Sequence, residues 1–223
     1  LMALDRQAII DETLEGQAIV IHSPIPPPSW AHYEGVRTYE YDPEAAKELL
    51  EARGWHDSDG DGIREKEGQK LEFNLLTNDE TTRMRIISLI SQQLAEVGVK
   101  ANPQVASAAS LVPEFLRPRR FDALLYEWRA TLPDPDPYPM WHSTQVADEG
   151  QNYAGYQNRE VDKLLEQARH ITDQELRRRL YCRFQEIFAE EVPSLFLYSE
   201  VYDYAVDDAV KDVQIGFLVA PSY

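Results

Sequence analysis

From Lys70 onward the apolar residues alternate between two periods, and few folds accept such a pattern. Over Lys70–Leu76, Leu71, Phe73 and Leu75 point one way while Glu72 and Asn74 point the other, the period of a strand with one wet face. From about Asn78 or Asp79 to Val97 the stripe Ile86, Ile90, Leu94 and Val97 keeps a helical period, and Gly98 ends it. Val99–Val105 then reads as a short strand, Ala109–Leu116 as a short helix ending near Pro118, and Phe121–Trp128 as a second strong strand. Strand, helix, strand, helix, strand in one run predicts an α/β domain, with helices layered on a mixed sheet.

The flanks add helices. Asp5 caps one that carries Ile9 and Ile10 and stops at Gly16. Asp42-Pro43 starts another, since proline suits a first helical turn, and Gly54 closes it. A third begins near Asn158, with Val161, Leu164, Leu165 and Ala168 on one face. A fourth begins at Thr172, where Thr172 and Glu175 fit a capping box ahead of the stripe Leu176, Leu180, Phe184, Ile187 and Phe188. Ser194–Tyr198 and Tyr202–Val206 read as strands. The proline-dense run Ser23–Trp30 excludes helix and central strand and acts as a stiff connection, and a second run, Leu132–Pro139, reads as a rigid loop. Neither is a linker that divides the chain, and residues 1–223 read as one lobe.

The net charge of -17 repels phosphate backbones and anionic lipid heads, which argues against nucleic acid and membrane surfaces as partners. No apolar run is long enough to cross a bilayer. Cys182 is the single cysteine, so no internal disulfide forms, and its place beside Tyr181 and Phe184 reads as a packed thiol rather than a nucleophile. The five histidines are scattered without paired spacing, which disfavours a transition-metal centre. No nucleophile elbow, phosphate loop or dinucleotide fingerprint is present, and the expectation is a protein that is not an enzyme. Asp57, Asp59 and Asp61 alternate through a glycine-rich loop like the first half of a calcium loop. Gly68 stands where a full calcium loop has its closing glutamate, so the alternatives are a structural calcium and a solvated turn.

The ordered set of motifs resembles the extracellular solute-binding proteins of family 5, the peptide- and nickel-type binding proteins of ABC importers. It runs from Ala3-Leu4-Asp5-Arg6 through Tyr41-Asp42-Pro43-Glu44 and Gly54-Trp55 with the Asp57–Gly62 loop. It continues with Trp128, Pro133-Asp134-Pro135, Asn152-Tyr153, Gly155-Tyr156 and Val161-Asp162-Lys163-Leu164-Leu165. The resemblance implies a periplasmic-binding-protein-like (type II) lobe, the C-terminal one, whose N-terminal partner lobe and export signal lie outside this segment. It implies capture of a peptide or other small solute between lobes, delivery to the transmembrane subunits of a permease, and a periplasmic or extracellular, membrane-anchored lipoprotein. Ligand-sensing regulators with a DNA-binding head and oligosaccharide binders are the alternatives.

Trp128, Thr131, Asp134, Tyr138 and Trp141 are the ligand-site candidates, on or after the last strand of the α/β run and within or just beyond a proline-stiffened loop. In peptide-binding relatives an aspartate three residues after the tryptophan pairs with the ligand's ammonium. Thr131 stands there and cannot neutralise a cation, so the resemblance points toward a neutral or modified ligand unless Asp134 substitutes. No cofactor is expected beyond that calcium.

Overall fold

The computed structural model describes residues 1–27, 29–128, 134–147, 149–201, 205–207 and 209–211. In chain order its elements are α1 (Arg6–Leu14), β1 (Ala18–Val20), α2 (Pro43–Ala52), β2 (Glu65–Lys66), β3 (Gln69–Lys70), β4 (Glu72–Asn78), α3 (Thr81–Ala95) and β5 (Lys100–Ala106). There follow α4 (Ala108–Ser110, continued by a π-helical turn over Leu111–Leu116), β6 (Ala123–Leu124), α5 (Tyr138–Trp141), α6 (Arg159–His170), α7 (Gln174–Glu191) and β7 (Tyr198–Glu200).

These elements form two compact units whose sequences interleave. One holds Leu1–Gly16 and Tyr39–Tyr126, the other Gln17–Thr38 and Glu127–Tyr223. The expected lobe without a dividing linker therefore meets a division that is not sequential: residues 17–38 leave the first unit and the chain then returns to it.

In the first unit a parallel sheet has the order β5-β4-β6. Pro103 lies in β5 opposite Leu75, and a proline that lacks an N–H belongs on an edge, which leaves the centre to β4. The period-two pattern fades along β4 because Leu75, Leu76 and Thr77 are all buried, as expected where both faces of a parallel strand are covered. Helix α3 is capped by Glu80, whose carboxylate accepts from the Thr82 and Arg83 amides, rather than by Asn78 or Asp79. The expected strand Phe121–Trp128 pairs only at Ala123–Leu124. Strands β2 and β3, absent from the sequence reading, form a hairpin turned by Glu67 and Gly68, both at positive φ, so the turn itself explains the glycine at position 68. Arg64 ties this hairpin down, donating from Nε to Val97 O and from Nη1 to Trp55 O at 2.9 Å each.

The second unit is helical, with β1 and β7 paired antiparallel. Among the described residues, parallel and antiparallel pairings thus fall in separate sheets rather than in one mixed sheet. The strand expected at Ser194–Tyr198 is displaced to Tyr198–Glu200, and part of the one expected at Tyr202–Val206 lies outside the described residues. The core joins Ile25 of the first proline run to Trp141, Tyr156, Leu165, Phe184 and Phe188. Helix α7 starts one residue later than the capping box implies, with Asp173 accepting from Leu176 N. Its buried face is rotated too: Leu176 is 48% exposed, whereas Tyr181 and Gln185 are enclosed. Gln185 makes four hydrogen bonds, accepting from Ser23 Oγ and Tyr33 N and donating to Ala31 O and Tyr181 O. This one amide replaces the backbone ladder that the proline run cannot form.

Candidate functional site

The described ligand-site candidates, Trp128, Asp134, Tyr138 and Trp141, fall in the second unit. Trp128 is half-buried and its indole stacks on Tyr153, with ring centroids 5.2 Å apart and planes 12° from parallel. Tyr153 is placed by a tight turn. Buried Asn152 accepts from Tyr156 N and donates to the carbonyls of His142 and Tyr156, and Gly155 takes the left-handed conformation at φ +65°. Tyr153 was not among the candidates read from sequence, although the Asn152-Tyr153 pair was visible there. Thr131 lies outside the described residues.

Each residue from 134 to 136 is held by a side chain of α6 or α7. Asp134 accepts from Arg177 Nη1 at 2.9 Å. The Pro135 carbonyl accepts from the Tyr181 hydroxyl at 2.8 Å. Asp136 is bound fork to fork by Arg169, with Nε at 3.0 Å from Oδ1 and Nη2 at 2.5 Å from Oδ2. The guanidiniums rest on rings: Arg169 lies 3.8 Å above Tyr138, and Arg177 lies 5.2 Å from the Trp30 centroid. Burial raises the Tyr181 hydroxyl above its usual range, which keeps it a hydrogen-bond donor to Pro135. Of these partners only Tyr138 was a candidate from sequence; Arg169, Arg177 and Tyr181 were not singled out for the site, and Trp30 was visible as an aromatic at the end of the first proline run.

The aromatic cluster that follows divides in two. Tyr138 is half-buried and stacks on His142 at 4.1 Å. Trp141 is 3% exposed and packs edge-on against Phe188 at 4.6 Å, so its surroundings make it a core residue rather than a cleft-lining one. His142 is buried as well. Its Nδ1 meets Thr144 through that residue's amide and hydroxyl, and its Nε2 faces Glu166 at 3.2 Å. Ser143 holds the neighbouring Asp162 through both its amide and its hydroxyl. This arrangement caps a 3-10 turn over Ser143–Gln145.

In the first unit Asp57, Asp59 and Asp61 bring carboxylate oxygens within 4.8 Å of one another, a donor set suited to a hard cation. All three are exposed, and the loop's carboxylates also accept from its own amides, as in Asp57 with Gly60 N and Gly62 N. The Lys70 ammonium bridges Asp59 and Asp61 and is the cluster's built-in counterion. Its hydrogen bond holds the Asp61 carboxyl below the usual range, and Asp61 in turn raises Lys70. For catalysis the signs are adverse at Cys182, because burial pushes its thiol up and disfavours the thiolate.

The sequence profile of the bacterial extracellular solute-binding proteins, family 5, middle, matches residues 1–150. The chain belongs to this family. The oligopeptide-binding protein AppA of Bacillus subtilis is 34% identical over 200 residues, covering 88% of this chain and 36% of AppA. The structure of AppA in complex with a nonapeptide superposes with a TM-score of 0.83 over 89% of this chain and 40% of that one. The oligopeptide-binding protein of Thermus thermophilus complexed with a pentapeptide gives 0.80 at 27% identity, over 89% of this chain and 36% of that one. NikZ of Campylobacter jejuni in complex with Ni(L-His) gives 0.79 at 28% identity, over 89% and 40%. The chain therefore spans between a third and two fifths of the family 5 proteins it matches. Those superpositions establish the periplasmic-binding-protein fold class expected from the motifs.

Proposed function

We propose that this family 5 chain is the C-terminal ligand-binding lobe of a longer protein that captures a peptide and hands it to an ABC permease. The observation that carries the reading is the 34% identity to an oligopeptide-binding protein whose structure holds a nonapeptide. The stacked pair of Trp128 and Tyr153 supports it, because flat apolar faces accept varied side chains without demanding one chemistry. In the whole protein a second lobe closes over the ligand, and the closed form docks on the permease. The same reading places the protein outside the cytoplasm, tethered to a membrane by an anchor beyond this segment. No helix among the described residues is long and apolar enough to cross a membrane, which is compatible with such a tether.

The test is thermal unfolding of the full-length protein against di- to nonapeptides, oligosaccharides and nickel-histidine. A ligand specific for the native state raises the melting temperature with concentration. A shift with peptides alone is the expected result. A shift confined to oligosaccharides or to nickel-histidine refutes the peptide assignment within the family, and consumption of the solute refutes binding as the function.

A further inference from the structure

The two aspartates of the proline-dense loop are attractive as ligand groups, yet the fold turns both toward its own cations. Asp134 meets Arg177, Asp136 meets Arg169, and Tyr181 holds the carbonyl between them. Pro135, Pro137 and Pro139 have no N–H, so this stretch cannot secure itself by a backbone ladder. Its placement depends on side chains reaching in from α6 and α7. The clamps are themselves fixed, Arg169 over the Tyr138 ring and Arg177 beside Trp30 and Tyr181. Exposed ion pairs contribute little to stability, and the Asp136 and Arg169 side chains are 38% and 41% exposed. Fork-to-fork geometry does, however, specify position and orientation.

We propose that Arg169 and Arg177 are positioning residues of the binding site, which hold Asp134–Tyr138 as a preformed and charge-neutral wall. This rests on the solute-binding reading above. Such a wall recognises a ligand by shape and by the Tyr138 ring, and it gives no preference to a cationic group. Because it is ordered beforehand, binding does not carry the cost of ordering it.

The experiment uses the full-length protein and two readouts. The first is hydrogen exchange across residues 134–142, which needs no ligand. Arg177→Met and Asp136→Asn are expected to speed exchange there by about tenfold while α6 and α7 keep their protection. Arg169→Lys, which keeps the charge without the fork, should reproduce most of the effect at Asp136 and Tyr138. Unchanged exchange in all three variants overturns the proposal. The second readout is affinity for a nonapeptide with nine uncharged side chains, prepared with a free and with an acetylated amino terminus. The wild type is expected to bind the twins within roughly threefold, and Arg177→Met to shift the ratio toward the free amine as Asp134 loses its partner. A wild-type preference of more than about tenfold for the free amine overturns the charge-neutral wall. Failure of the wild type to bind either twin overturns the peptide reading instead, and the exchange readout then decides the clamp by itself.

Discussion

Gly98 shows how a single position can carry more than its own conformation. It lies in the turn after α3 at φ +81°, and a Cβ there would stand 2.7 Å from Cγ of Arg64, the residue that pins the hairpin β2–β3. Backbone strain and the displaced arginine act together, so Gly98→Ala is expected to cost about 1–3 kcal/mol of unfolding free energy, read by urea denaturation. Lys70 is decisive in the acidic loop. It occupies oxygens of Asp59 and Asp61 that a calcium ion would need. Lys70→Gln is therefore expected to bind calcium more tightly than the wild type in a calorimetric titration. Equal affinities would mean that the ammonium does not compete and that the loop is a turn and nothing more.

Among the elements, α7 is the most informative, because its buried face carries a polar residue. Gln185 is wholly buried and serves the proline run on one side and its own helix on the other. Gln185→Leu keeps the volume but strands the Tyr33 amide and the Ala31 carbonyl, while the Ser23 hydroxyl keeps Ile25 O as acceptor, an expected loss of about 2–4 kcal/mol. Thermal unfolding checks it, and a near-neutral result would mean that water replaces the amide. The far end of α7 holds a pH-sensitive contact. The Tyr156 hydroxyl donates to Glu191 at 2.6 Å, and burial together with that carboxylate raises the phenol well above its ordinary value of 10.0. A raised folded value means that the contribution is complete below the unfolded value and is lost as pH rises through the folded one. Stability should thus decline above about pH 10, and Tyr156→Phe should flatten that decline in melting curves collected from about pH 8 to 11.5.

At the scale of the whole molecule the net charge of -17 sets a background of self-repulsion. Local ion pairs offset it only in part, so raising sodium chloride from about 10 to 500 mM is expected to raise the melting temperature. A fall would show that specific ion pairs outweigh the general field. Much of the architecture was readable along the chain. The α/β run, the caps at Asp5, Asp42 and Asn158 and the family motifs all depend on residues close in sequence, and local periodicity reports such features directly. Trp128 was legible as a site candidate for the same reason, since it ends a strong apolar run before a proline loop. The interleaving of two units, the burial of Trp141 and the pairing of Asp134 and Asp136 with Arg177 and Arg169 were not legible. Each joins residues far apart in the chain, as Gln185 is joined to Ser23 across 162 positions. A carboxylate beside a proline reads the same whether it faces a ligand or an arginine of its own fold. Only packing in three dimensions decides between them, because the partner that neutralises it is chosen by proximity in space.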